Sequence, residues 1–277
     1  MIKSAVRATL TLVFTTLSLS ALAQDINFAS GSQSAPLEIY ADNGIEWQQN
    51  QKIIIAQGNA IAKRAGSIIN ANELRAYYTE DAVKKGQETG NTNIHRLEAI
   101  GDVKITSATE KATGDKAVYD LKRAILVLSG TRPTLTTPDD TVSADNTLEY
   151  WEEKAQAVAR GNATAVREGR KIKADVIAAL FRKNKQGKSE IHRVNAFGNV
   201  LIITKTEHVT ADKGIYNVNS GVATLTGSVK IKRGGNLLNG CSATVNLKTN
   251  ISRLKACAGT NDDRVRGLVL PTAKTMQ

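Results

Sequence analysis

Ile191-His192-Arg193-Val194-Asn195-Ala196-Phe197-Gly198-Asn199-Val200-Leu201-Ile202-Ile203-Thr204 reads as one long strand with a glycine at its middle. Val194, Ala196, Val200 and Ile202 lie two and four places from Gly198, the period that sets side chains on one face of a strand. The same arrangement recurs around Gly58, Gly101, Gly161 and Gly227, with a weaker copy at Gly130. A second row of Ala or Gly followed by Asp or Asn centres on Asp42, Asn72, Asp115, Asp145, Asp175 and Asp212, with Cys241 in the equivalent place. The two rows alternate, and each full glycine copy precedes its partner by 14 residues, Gly130 by 15.

In an antiparallel hairpin the turn lies midway between facing residues. The midpoints here carry turn chemistry: Ala65-Gly66, Lys122-Arg123, Thr137-Pro138, Glu153-Lys154, Glu168-Gly169, Lys205-Thr206-Glu207, Asn219-Ser220-Gly221 and Arg233-Gly234-Gly235-Asn236. Two longer intervals are centred on Gly86 and Gly187, inside polar insertions at 79–93 and 183–189. The chain therefore reads as all-β, an antiparallel meander of about fourteen strands of roughly eleven residues. Glycines in mid-strand mark bends. Aligned across the sheet, they would crease it into a V-shaped trough.

Residues 1–23 read as a cleaved signal peptide, with Lys3 and Arg7, an apolar run from Leu10 to Leu22, and Ala21-Leu22-Ala23 before Gln24. Residues 24–36 are expected to be a lead-in, 37–258 a single trough domain, and 259–277 a tail carrying a short edge strand at Val265–Leu270. No later stretch is long and apolar enough for a spanning helix, so the mature chain is expected to be a soluble exported protein.

The formal charge of +11 includes Lys3 and Arg7 and leaves about +9 on the mature chain. An acidic partner is implied. Export and the scatter of the basic residues argue against nucleic acid and favour a phosphorylated lipid or anionic glycolipid.

The alternation assigns the inner lining to Leu97, Val103, Ile105, Tyr119, Ile177, Val194, Val200, Ile202, Tyr216, Leu225, Val229 and Ile231. Such a surface is either a closed core or an open groove. Small side chains, 4% aromatic residues and the lack of a covering helix favour the groove, and an aliphatic lining suits acyl chains better than sugars. Arg132 and Pro133 interrupt the lining after Gly130, which leaves a bulge or a phosphate site open as readings.

No enzyme is expected: the nucleophile-elbow, P-loop and dinucleotide motifs are missing. His95 and His192, in matching contexts, are read as outward surface residues, and no metal or cofactor site is expected. The Asp row is read as structural, turning the strands. Cys241 and Cys257 face each other across Thr249 and are expected to form a disulfide in an oxidising compartment. An unclosed sheet leaves two bare edges, with Ile39 and Tyr40 at one and Ile251 and Leu254 at the other as expected partner contacts. Head-to-tail pairing of such edges gives a filament.

Leu37-Glu38-Ile39-Tyr40-Ala41-Asp42, the Ala-x-Gly-[Asn/Asp]-Val motif at 99–103 and 196–200, and Ala-Asp units such as Val209-Thr210-Ala211-Asp212 resemble the LptA/OstA-like periplasmic lipopolysaccharide-transport bridge family, over most of residues 37–258. The resemblance implies a jelly-roll trough in the periplasm that shields lipid A acyl chains. It also implies end-to-end assembly between inner-membrane and outer-membrane transport components. The chain has more repeats than a minimal bridge needs. The alternatives are the soluble β-domain of another lipopolysaccharide-transport component, or a repeat-built exported structural or adhesion protein.

Overall fold

A computed structural model describes residues 37–64, 66–80, 92–185, 187, 189–249, 251–257 and 264–269. The expected leader and lead-in, the centre of the 79–93 insertion, and residues 258–263 and 270–277 lie outside the described residues.

The described residues form 18 strands in one antiparallel sheet, without a helix. The first unit comprises β1 (Glu38–Tyr40), β2 (Ile45–Gln48), β3 (Ile53–Arg64), β4 (Ser67–Glu80), β5 (Thr92–Thr106), β6 (Lys111–Asp120), β7 (Ile125–Ser129) and β8 (Thr134–Thr136). Next come β9 (Asp140–Ser143), β10 (Thr147–Trp151), β11 (Gln156–Arg167), β12 (Arg170–Lys183), β13 (Ser189–Ile203), β14 (Glu207–Asn217) and β15 (Val222–Arg233). β16 (Asn236–Asn246), β17 (Ile251–Lys255) and β18 (Arg266–Leu268) complete the chain.

The count exceeds fourteen because four full-width strands are each broken in two. β1 and β2 both pair with β3, β7 and β8 with β6, β9 and β10 with β11, and β17 and β18 with β16. Each break falls where the neighbouring strands bulge. Sheet order otherwise follows chain order, hairpin by hairpin.

Register shifts at Gln57/Ala60, Ile100/Val103, Arg160/Ala163, Phe197/Val200 and Thr226/Val229 place every full glycine copy inside a bulge. Gly198 has φ +72 and Asn199 φ +47. Two successive left-handed residues turn the strand sharply, and glycine followed by Asn is the pair that adopts them at least cost. Asn59, Asp102, Asn162 and Ser228 repeat the second position of that bend. The acidic row fills the space beside it. Asp175 lies over Gly198, Asp212 over Gly227, Asn72 over Gly101 and Asp115 over Gly130, while at the broken strands Asn43 and Asn146 take the place expected for Asp42 and Asp145. Asn199 donates to both Asp175 oxygens, at 3.1 and 3.0 Å, which ties consecutive bends together.

The crease divides the sheet into two wings whose inner faces meet. One buried cluster joins Ala56, Leu74, Ala99, Tyr119 and Leu128 of the first wing to Ala60, Ile69, Val103, Ile105 and Ala112 of the second. A second cluster joins Ile177, Ala196 and Leu225 to Ala163, Val200, Val229 and Ile231. Alanine is frequent at both because small side chains near a crease let the wings approach closely. Leu148 on β10 packs against both clusters, so the apolar interior is continuous.

The chain repeats itself in register. β3 begins at Ile53 and β11 at Gln156, β4 at Ser67 and β12 at Arg170, each 103 residues on. β7 (Ile125–Ser129) recurs as β17 (Ile251–Lys255) after 126.

Arg132 and Pro133 belong to the break between β7 and β8. Pro133 is fully buried, whereas Arg132, at φ +60, turns its Nη1 outward to Asp145 Oδ1 at 3.1 Å. The interruption is a bend closed by an ion pair.

Candidate functional site: an apolar cleft between two wings

The inner faces of the two wings leave two clefts. The first, of about 450 Å³ with its open mouth, is lined by Leu37, Ile39, Ala62 and Ile69 from one wing and Ile54, Leu74, Leu97, Tyr119 and Leu126 from the other. The second, of about 260 Å³, lies among Ile172, Val200 and Ile202 on one wing and Val194, Ala196, Tyr216, Ala223 and Leu225 on the other.

All twelve residues assigned to the lining from sequence belong to the two inner clusters or pack against them. The structure divides them. Leu97, Tyr119, Val194, Val200, Ile202, Tyr216 and Leu225 line the clefts. Val103, Ile105, Ile177, Val229 and Ile231 are buried between the wings and do not line the clefts. Leu37, Ile54, Ile69, Leu74, Leu126 and Ile172 line the clefts and were not assigned. Their alternation around the crease is the same as that of the assigned residues and could have found them.

The polar fittings stand at the rims. Tyr119 donates its hydroxyl to Glu152 Oε1 at 2.8 Å, and burial together with the facing carboxylate pushes the phenol well above its ordinary range. Burial raises Glu152 as well, against the lowering effect of that hydrogen bond. On the outer face, burial alone would raise Glu98, but Arg96 and Lys116, with nitrogens 2.6 and 3.5 Å away, hold it below the usual carboxylate range.

The histidines depart from expectation. His95 and His192 are each the extra residue of a bulge near a hairpin tip, opposite Tyr77/Tyr78 and Leu180/Phe181, and both are half-buried rather than outward. Both stand six places from their glycine, the even offset shared by Leu97 and Val194, so alternation does not support the outward reading, and the bulge interrupts it there. Their carbonyls accept from Leu121 N and Val218 N, both at 3.0 Å, and His192 Nδ1 is buried without a hydrogen bond.

The edge residues also divide. Tyr40 and Ile251 are exposed, whereas Ile39 and Leu254 point inward and pack against the core. Ile45 and Trp47, 53% and 58% exposed, extend the N-terminal edge and were not singled out. Trp47 donates its Nε1 to Tyr78 Oη at 2.7 Å. At the other edge Cys241 and Cys257 form a disulfide at the crease, with Cα atoms 5.0 Å apart.

A creased antiparallel trough, lined with aliphatic residues on glycine-centred repeats, is now matched by sequence comparison. The model of the family described as LptA/(LptD N-terminal domain) LPS transport protein matches twice, over residues 38–150 and 142–251. The chain belongs to this family. The two matches follow the 103-residue internal repeat and meet at β9 and β10. An LptA/LptD N-terminal domain is thus present in two linked copies, and the family's role is lipopolysaccharide transport.

An uncharacterized protein of Rhizobium meliloti (strain 1021) is 24% identical over 117 residues, 40% of this chain, and the chain spans 63% of that relative's length. The crystal structure of LptH, the LptA homologous periplasmic component of the conserved lipopolysaccharide transport device from Pseudomonas aeruginosa, is similar over 48% of this chain and 95% of LptH, with a TM-score of 0.41 and 17% identity.

Proposed function

We propose that this protein is a periplasmic bridge that binds lipopolysaccharide, shields its lipid A acyl chains between the two wings, and passes it from the inner toward the outer membrane. The observation that carries the proposal is the pair of aliphatic clefts along one sheet, whose flanking buried clusters are bridged by Leu148. Each methylene moved from water onto such a lining contributes up to about 0.8 kcal/mol. Sugars and phosphates stay outside the clefts, in water. No chemistry at the lipid is needed. Movement follows from supply at one end and removal at the other by transport components docked at the two free edges.

A second reading, a domain of a different lipopolysaccharide-transport component, draws support from the LptD N-terminal domain that the family description includes. It would leave the clefts filled by the same lipid and change the partners at the edges.

The test places a photocrosslinking residue at Ile202 or Tyr216 in the second cleft and at Leu97 in the first, with exposed His208 and Lys230 as outward controls. Lipopolysaccharide adducts from the inward positions alone are expected, both in cells and with purified lipid. Folded protein with no adduct at any inward position would sink the lipid reading.

A further inference from the structure

Six places past a bend glycine, at the end of the strand, three hairpins carry an arginine: Arg64 after Gly58, Arg167 after Gly161 and Arg233 after Gly227. Each shares the inner face of the second wing with the residue two places before it, Ala62, Ala165 and Ile231. Two of the three are neutralised from a neighbouring strand. Arg167 donates from Nε to Asp140 Oδ1 at 2.7 Å and from Nη2 to Oδ2. Arg233 donates from Nε to Glu207 Oε1 at 2.8 Å and again from Nη2.

Arg64 is the exception, and the internal repeat supplies the reason. Arg64 and Arg167 are equivalent positions, 103 residues apart, and the residue equivalent to Asp140 is Leu37. In the first unit the carboxylate is thus replaced by an apolar side chain that lines the first cleft. Ser67, the cross-strand neighbour of Arg64 on β4, brings no charge either. Arg64 is half-buried and forms no ion pair among the described residues, and its Nε is buried without a hydrogen bond. A guanidinium keeps its charge, and a buried donor without an acceptor is costly, so the site calls for an anion that the chain does not provide.

The cleft lies beside it. Ala62, on the same face and two places away, is a lining residue. The Tyr119 phenol of the facing wing, raised first by burial and then by Glu152, is lowered in part by the charge of Arg64, so the guanidinium stands within electrostatic reach of the opposite side. Glu152 accepts from Tyr119 and forms no ion pair with Arg64.

We propose that Arg64 binds a phosphate group of the lipid whose acyl chains occupy the first cleft. The inference rests on the bridge reading and adds to it a residue that recognises the headgroup. The guanidinium fork matches two oxygens of a phosphate, and its place at the end of a hairpin keeps that group by the water while Leu37 and Ala62 line the way to the chains. Asp140 holds the equivalent guanidinium of the second unit, so the two clefts take acyl chains alike and the headgroup differently.

The experiment places the photocrosslinking residue at Leu97 in the full-length chain and titrates it with purified lipopolysaccharide and with the same lipid stripped of its phosphates. The readout is the ratio of the lipid concentrations that give half the maximal adduct. With Arg64 in place, the phosphorylated lipid is expected to be favoured about tenfold. Arg64→Gln is expected to erase the ratio by weakening the phosphorylated lipid alone, and Arg64→Lys to keep part of it. Leu37→Asp, which supplies the carboxylate that Arg167 has, is expected to erase the ratio with Arg64 present. Lys104→Gln removes an exposed charge from the outer face of the same wing and is expected to leave the ratio intact. Thermal melts are run on every variant.

A ratio that survives Arg64→Gln, equal weakening of both lipids by that variant, or the same loss from Lys104→Gln would overturn the proposal. So would competition by inorganic phosphate that depends on Arg64 while the two lipids bind equally, which would assign the site to free phosphate. Adducts from both lipids without a preference refute this inference alone. Folded protein that gives no adduct with either lipid refutes the bridge reading and this inference with it.

Discussion

The carboxylate of Asp175 occupies the space that a side chain at Gly198 would need: a β-carbon built there would stand 2.1 Å from Asp175 Oδ2. Each residue excludes alternatives to the other. Gly198 is at φ +72, which carries a cost for other residues even in open space. Gly198→Ala is expected to destabilise by about 1–3 kcal/mol. Asp175→Ala in the same chain should recover the steric part while losing the bonds from Asn199, so the two substitutions combine to less than their sum. Urea unfolding of the two single variants and the double variant measures this; strict additivity would show that the contact does not matter.

Glu149 gives a pH signature. Burial would raise its carboxyl, but donors on Arg160, Trp151 and Thr147, at 2.8, 3.0 and 3.1 Å, outweigh burial and hold it below the ordinary range. A carboxylate depressed in the folded state adds stability above its unfolded pKa and loses it as pH falls through the folded one. Arg160→Ala should therefore cost about 1 kcal/mol at neutral pH, and the difference from the native chain should shrink in acid. Melting curves across the acid range decide; a penalty constant with pH would refute the assignment.

Glu152 has the opposite sign. Its folded pKa is raised by burial, so the folded state holds the proton more tightly than the unfolded one, and this group's contribution declines as pH rises from the unfolded value through the folded one. Glu152→Gln keeps an acceptor for the Tyr119 hydroxyl and removes the buried charge. It should be near neutral in acid and raise the melting temperature increasingly as pH rises and the native carboxylate loses its proton. A melting temperature that falls relative to the native chain as pH rises would be the contrary result.

The Cys241–Cys257 bridge closes a loop over a sequence separation of 16 at the C-terminal edge. Loop-closure entropy puts its contribution at about 3 kcal/mol. Reduction should lower the unfolding midpoint, and amide exchange should quicken first in β17, which pairs with β16 alone among the described strands. Uniform loosening across the sheet would contradict a local staple.

Much of this was legible because the repeat writes the same chemistry at each crossing of the crease. Gly198, Asp175 and the turn at Glu168-Gly169 announce bend, filler and tip through residue types whose backbone preferences are local. The broken strands were not legible. Asp42-Asn43 and Asp145-Asn146 look like any other crossing, and whether the ladder continues past them depends on partners across the sheet. Depth within the trough was hidden for the same reason. Val103 and Tyr216 share one face, yet Val103 is fully buried while Tyr216 reaches a cleft, and alternation reports the face without reporting what packs over it. His192 stands two places from Val194, so strict alternation from the glycine sets both on the inner face; the outward reading did not follow from it, and the bulge at His192 interrupts the count in any case.

Because neighbours in the sheet are neighbours in the chain, hairpins act as graduations on a ruler. Each full-width strand advances the trough by about 4.8 Å, so fourteen of them measure out roughly 60 Å. A gene that gains or loses one hairpin changes this reach by about 10 Å and leaves the cross-section as it was. Reach and grip can therefore be selected separately: one by counting strands, the other by choosing the side chains between the wings.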